Sequence, residues 1–360
     1  MAPQGVLTTA DNRVNNRPGF LITIDTEGDN LWARPRCITT ENARFLPRFQ
    51  SFCEGYGLKP TYLTNWEMAT CPRFNEFARD VIARDKGEIG MHLHAWNSPP
   101  IIPLTADDFH HHPYLMEYPE SVIREKVAVM TRTLENIFAV KIISHRAGRS
   151  GFDKVYARAL VDCDYRVDCS VMPHVSWRSH IGDPNRQGGT DYTHFPESPY
   201  FLDLNDISRP GDSPLLEVPV TCLHPRYPRL ANVGLAIAER SGRLGYRFAR
   251  HFYPTYVRLI PNGRNRRLLL ALIQSAQLDG RDYIELMFHS SELMPACSPN
   301  FPTERSIENL YHDLDALFQA AHPHFKGQTL AEYHDLFVAT HAATPSRGGP
   351  AGSNPLCARA

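Results

Sequence analysis

The chain has 360 residues, 42% hydrophobic and 10% aromatic, enough apolar material for one large α/β domain or two smaller ones. Lysine and arginine total 38 against 39 acids, so the overall balance carries no footprint for wrapping nucleic acid or coating an anionic membrane, and an uncharged or small substrate fits better. The cysteines are scattered with no Cys-x-x-Cys pair, which excludes the disulfide framework of a small secreted domain, and no stretch approaches the ~20 apolar residues that span a bilayer.

In chain order, residues 1–17 are polar and interrupted by proline, and read as a flexible leader without the basic start and apolar core of an export signal; cytoplasmic residence is the default. The folded body is expected over 18–340 as a single domain, with 341–360 a flexible tail rich in Gly, Pro, Ser and Asn. Short runs rich in β-branched and aromatic residues at 20–24, 60–64, 88–91, 141–144, 165–167, 215–218 and 283–288 predict strands. Between them, segments 41–56, 73–85, 120–139, 152–162, 262–278 and 304–321 carry apolar residues three and four apart and predict amphipathic helices. The alternation predicts an α/β fold with a parallel sheet covered by helices, and seven strands suit a barrel one unit short of the usual eight. Two stretches, 97–119 and 173–214, exceed ordinary loop lengths and are expected to hold substrate.

The candidate reactive residues fall just after the predicted strands: Asp25, His92, Arg146, Asp168 and His289. In parallel α/β folds these strand ends converge on one face, so residues far apart in sequence can share a pocket. In Asp25-Thr26-Glu27-Gly28-Asp29, three carboxylates within five residues repel one another, and a cation would relieve the cost; a solvated turn whose acids cap the next segment is the alternative. His92-Leu93-His94 puts two imidazoles on one face if the backbone stays extended. With one carboxylate, and a fourth position for water, they would make a catalytic site for a divalent ion, zinc first. The denser His110-His111-His112 run lies away from a strand end and reads as surface loop.

His289 could act as general acid toward a leaving amine, since imidazole titrates near neutrality. Ser290 and Ser291 follow it, but no Gly-x-Ser-x-Gly elbow supports a serine nucleophile. Arg146 could hold a carboxylate base in its ionised form or orient substrate, with an ordinary structural ion pair as the alternative. Asp168 could accept a hydrogen bond from Arg146 or from a histidine behind the metal, and Glu217 could do the same. Neither Gly-x-Gly-x-x-Gly, nor a phosphate-cradling loop, nor His-Glu-x-x-His occurs.

The ordered set Thr23-Ile24-Asp25-Thr26-Glu27, Glu88-Ile89-Gly90-Met91-His92-Leu93-His94, Arg146-Ala147-Gly148-Arg149, Val167-Asp168-Cys169-Ser170 and Met287-Phe288-His289 resembles the polysaccharide deacetylase family, or NodB homology domain, over about 18–340. The stretch through Ala95-Trp96, with Ser290-Ser291-Glu292-Leu293, resembles its WalW-like subgroup, associated with bacterial polysaccharide gene clusters. The resemblance implies a distorted (β/α)7 barrel, a carbohydrate substrate and metal-dependent deacetylation. It further implies Asp25 as base, Glu27, His92 and His94 as metal ligands and His289 as acid. Two positions depart from the family pattern: the second acid is displaced from beside Asp25 to Glu27, with Asp29 as a competitor, and the site where a second histidine usually falls is Trp96. Rival readings are a metal-free amidase on the same fold, a glycosidase pairing Asp25 with Glu217, and a non-catalytic sugar-binding protein.

Overall fold

The structure is a computed structural model that describes residues 17–182, 188–227, 229–240 and 243–342; nearly all of the expected leader and tail, 1–16 and 343–360, lies outside the described residues. Its strands are β1 (Gly19–Thr26), β2 (Pro60–Thr64), β3 (Glu88–Leu93), β4 (Ser144–Ala147), β5 (Val167–Asp168), β6 (Tyr200–Asp203), β7 (Asp206–Pro210), β8 (Leu216–Glu217), β9 (Cys222–Leu223), β10 (Val257–Arg258), β11 (Tyr283–His289) and β12 (Lys326–Gln328). Seven of them run parallel in the order β11-β1-β2-β3-β4-β5-β8, curling into a distorted, incomplete barrel. No ladder joins β8 to β11. The connection from β8 crosses that gap instead, where Glu285 N donates to Thr221 Oγ1 at 2.7 Å and Met287 N to the Leu259 carbonyl at 3.1 Å.

The helices are α1 (Leu46–Gly55), α2 (Pro72–Ala83), α3 (Glu120–Phe138), α4 (Lys154–Val161), α5 (Arg229–Arg240), α6 (Arg243–Phe252), α7 (Arg266–Leu278), α8 (Glu304–Ala321) and α9 (Leu330–Ala342), with shorter turns between. Each long amphipathic helix buries one stripe: α1 through Leu46, Phe49 and Cys53, and α8 through Ile307, Leu310, Leu314, Leu317, Phe318 and Ala321. These stripes pack on the outward-facing residues of the strands, among them Phe20, Ile22, Ile24, Tyr62, Ile89 and Met91. The inward-facing residues form a separate cluster, Leu21, Leu63, Val167, Cys169, Leu216, Val218 and Tyr283. Helix α9 plugs that end with Leu330, Tyr333 and Phe337, its first amides donating from Leu330 N to Thr61 Oγ1 and from Ala331 N to Glu88 Oε2.

The segment 173–214 is not a loop throughout: β6 and β7 form an antiparallel hairpin that continues the sheet beyond β8. Between β9 and β10, which pair with each other, the chain makes an excursion carrying α5 and α6. On α5, Leu230 is 86% exposed, and Val233 and Ile237 share its face in the open. The cysteines among the described residues are free, and no helix among those residues is long and apolar enough to cross a membrane.

Candidate metal centre and catalytic cleft

Above the apolar plug, the inward-facing positions turn polar. Alternation along β1 and β11 sends Thr23, Asp25, Glu285 and His289 to the same side as Arg146 of β4, whose side chain is wholly buried. The guanidinium donates from Nη1 to Asp25 Oδ1 (2.8 Å), from Nη2 to Thr23 Oγ1 (2.7 Å) and Glu285 Oε1, and from Nε to the Cys169 carbonyl (3.0 Å). One cation thus serves two carboxylates. Burial pushes Asp25 upward, but His92, Arg146 and His289 outweigh it and hold its carboxyl below the usual range. Glu285 receives less compensation; burial raises it to about 7, and its Oε2 has no hydrogen-bond partner.

Next to Asp25, at the rim, lie Glu27, His92 and His94, all buried. His92 Nδ1 is 2.9 Å from the Arg146 carbonyl, an acceptor only, so Nδ1 carries a proton and, in the neutral ring, Nε2 offers a lone pair. His92 Nε2 faces His94 Nε2 at 3.1 Å and Glu27 Oε2 at 3.5 Å, while His94 Nε2 lies 2.9 Å from Glu27 Oε2. Three ligand atoms therefore converge, each within 4.8 Å of the others. Burial raises Glu27, but hydrogen bonds from both histidines and the charge on His289 drive it well below the carboxylate range. Burial favours the neutral ring in His94, which is lowered; His92 is raised, because Asp25 and Glu27 overcome the same effect. Two imidazole nitrogens and an ionised carboxylate aimed at one point are the N/O donor set of a divalent cation, and the residues fit one.

Local structure fixes this trio. Ser290 Oγ accepts from Glu27 N at 3.1 Å, and Asn42 Nδ2 donates to the Glu27 carbonyl at 2.9 Å. Asp29 takes no part: its oxygens accept from Thr39 Oγ1 and from the Glu41 and Asn42 amides, capping the next turn. Gly148 lets the turn after β4 lie against His94; a Cβ there would come 2.5 Å from the Leu93 carbonyl and 2.7 Å from His94 Nδ1.

His289 stands across the site, its Nε2 3.8 Å from Asp25 Oδ2 and its Nδ1 3.4 Å from Glu292 Oε2. Burial lowers it, but Glu292, Glu27 and Asp25 prevail and raise it to about 9, so the ring is a cation at neutral pH. Trp32 packs edge-on against it at 4.8 Å. The whole constellation opens into a cleft of about 420 Å³ with walls of Trp32, Trp96, Phe109, Tyr114 and Trp177, and with Arg34, Arg149 and Arg258. Trp96, the departure from the histidine spacing of the resembled family, stacks on Phe109 at 4.3 Å and supplies wall.

Other expectations are corrected. Asp168 does not bond Arg146, and the histidine that it meets stands outside the trio. It lies 2.6 Å from His145 Nδ1, whose Nε2 is 2.7 Å from the Tyr156 hydroxyl, all of them buried. The reason is strand alternation: His145 pairs with Asp168 in register, so both face the helices, whereas Arg146 faces the barrel. Glu217 is beside Asp168 on the same outward face, accepts from Val171 N and is raised well above the usual range, first by burial and then by Asp168. It does not line the cleft, so the Asp25–Glu217 pair required by the glycosidase reading is not formed. The triple histidine is only partly surface, since His112 is buried. Sequence reasoning passed over Glu285 and Thr23, although an ionisable residue two positions from Met287 and four from His289 in an apolar strand was a signal of the same face.

No protein-family model matches the chain, and no curated protein matches it in sequence. Among solved structures it is similar to a protein from Parabacteroides distasonis provisionally named a glycoside hydrolase/deacetylase, with 12% identity over 90% of this chain and 72% of the other and a TM-score of 0.55. It also aligns with a protein from Mycobacterium smegmatis provisionally named a polysaccharide deacetylase, with 14% identity over 99% of both chains and a TM-score of 0.48. A third, a CE4 family pseudoenzyme from Bacillus anthracis, gives 11% identity over 89% and 66% of the two chains and a TM-score of 0.39. The first of these likenesses establishes the fold: a distorted barrel of the polysaccharide deacetylase type.

Proposed function

We propose that the chain is a metal-dependent hydrolase that removes acetyl groups, N-acetyl first, from a polysaccharide or its sugar precursor. The observation that carries this reading is the convergence of Glu27, His92 and His94 beside an arginine-paired aspartate, with a histidine across a cleft walled by aromatic rings. Glu27, His92 and His94 would hold a divalent cation, which would supply Lewis acidity toward the acyl carbonyl and the attacking water. Asp25, kept ionised by Arg146, accepts the proton as the water oxygen attacks the carbonyl carbon. His289, protonated at neutral pH, delivers its proton to the nitrogen as the C–N bond breaks, leaving acetate and a free amine. Aromatic faces such as Trp32 and Trp96 bind the apolar faces of sugar rings. Zinc, the subgroup tied to bacterial polysaccharide gene clusters, and a cytoplasmic site of action are the finer parts of this reading.

The test is acetate release from a panel of N-acetylated and O-acetylated saccharides, with metal content measured on the same preparation. About one equivalent of metal, activity lost on chelation and restored on reloading, and a 10²–10⁴-fold lower kcat in Asp25→Asn with metal retained are expected. Full turnover at zero metal occupancy supports the metal-free amidase instead, and metal-loaded protein inert on the whole panel supports a sugar-binding role.

A further inference from the structure

Three arginines line the cleft, and among the described residues none of them is in contact with a carboxylate. The near-zero net charge of the chain suggested an uncharged substrate, but the cleft is not neutral. We propose that its outer half is an anion subsite, in which Arg34, Arg149 and Arg258 receive a phosphate or carboxylate group carried by the acetylated sugar. The identity of the sugar rests on the deacetylase reading; the subsite itself does not.

The acids of the cleft are engaged elsewhere. Asp25 is held by Arg146, Glu27 by the two histidines, and Glu292 by His289 and by Asn300 Nδ2 at 3.1 Å. Among the described residues, Arg34, Arg149 and Arg258 form no ion pair, yet each is half-buried. Burial lowers Arg34 and the like charge of Arg149 lowers it further, and the charge of Asp107 offsets only part of this. Burial likewise weakens the hold of Arg258 on its proton. None of their contacts is anionic: Arg149 lies 5.3 Å over the ring of Tyr114 and is hydrogen-bonded to its side chain, and Arg258 lies 5.9 Å over Trp177 and 3.8 Å from Met172 Sδ. An anion would relieve the repulsion and the desolvation together, and the guanidinium fork matches a carboxylate or phosphate in shape.

The backbone points the same way. Arg149 and Ser150 both occupy the left-handed region, with φ of 55° and 53°, a conformation that side-chain-bearing residues avoid. It is held from outside by the Tyr192 hydroxyl, which donates to the Ser150 carbonyl at 2.7 Å, and by Gly151, whose missing Cβ leaves room for Tyr114. Strain at this turn aims Arg149 into the cleft beside the metal trio.

Three of the four tryptophans, Trp32, Trp96 and Trp177, line the cleft, so their fluorescence reports binding without turnover. The full-length, zinc-loaded chain is titrated with N-acetylglucosamine, with its 1-phosphate, and with a disaccharide joining N-acetylglucosamine to glucuronate. At least one charged ligand should bind about tenfold or more tighter than the neutral sugar, and raising the salt should erode that preference. Arg149→Met combined with Arg258→Met should bring the ratio of charged to neutral affinity down to about one, with the circular dichroism spectrum unchanged. Arg149→Lys, which keeps charge but not the fork, should restore part of the preference. Stronger binding of the phosphate identifies a phosphorylated sugar, and stronger binding of the uronate an acidic polysaccharide. Equal affinity for neutral and charged sugars, or a preference that survives in the double variant, overturns the proposal. Protein that releases no acetate yet keeps an arginine-dependent preference would cost the deacetylase reading and leave this one standing.

Discussion

Arg146 sets the ionisation of the site by being one cation between two carboxylates. Asp25 keeps its charge, and Glu285 remains a partly protonated acid at about 7, above the ordinary 4.5. For stability the sign follows from which state binds the proton more tightly. The folded chain holds it between 4.5 and 7 while the unfolded chain has released it, so this contribution is full below 4.5 and is lost as pH rises through 7. The loss is on the order of 3 kcal/mol. Glu285→Gln removes the titration, and urea unfolding at pH 5 and pH 8 should show wild type losing about that much relative to the variant; parallel profiles would refute the assignment. Asp25, His92 and His289 were legible because strand ends converge in parallel sheets. Asp168 passed the same test and failed on the period of two: its register partner His145, not Arg146, shares its face. Strand ends are visible in sequence, but parity needs the register between strands, and that is a property of the sheet.

The elements that hold the two histidines of the trio are β3, β4 and the turn that follows β4. Gly148→Ala should push on the Leu93 carbonyl and the His94 ring, since a Cβ has no room there. Zinc affinity, followed by calorimetry, is expected to fall roughly 10–100-fold with the fold intact; unchanged affinity would mean that His94 is not a ligand. Strands 60–64 and 283–288 and the helical stripes of α3 and α8 were readable because each presents one periodic face to one layer. The helix α9 was not. It buries Leu330, Tyr333, His334 and Phe337 yet leaves Leu336 and Val338 partly exposed, so its period is blurred. Strands β6, β7, β9 and β10 escaped because they are short and pair in registers that only the long excursions between them permit.

At the scale of the whole molecule, a net charge of −1 conceals an uneven distribution. Ten of the 38 basic residues but only one of the 39 acids, Glu239, fall within 218–278, so that stretch carries +9 and the remainder −10. Retention on a cation exchanger at pH 7.0, near the isoelectric point, with elution by salt, is the expected behaviour; passage in the void volume would mean that the charges are spread evenly. Much of that positive charge rides on the excursion between β9 and β10, which also shows Leu230, Val233 and Ile237 to solvent and returns to the cleft wall at Arg258 and Ile260. A body charged in this way behaves as a compass needle. Approaching any negatively charged surface or polymer, it experiences a torque before contact that turns the excursion between β9 and β10 toward that surface.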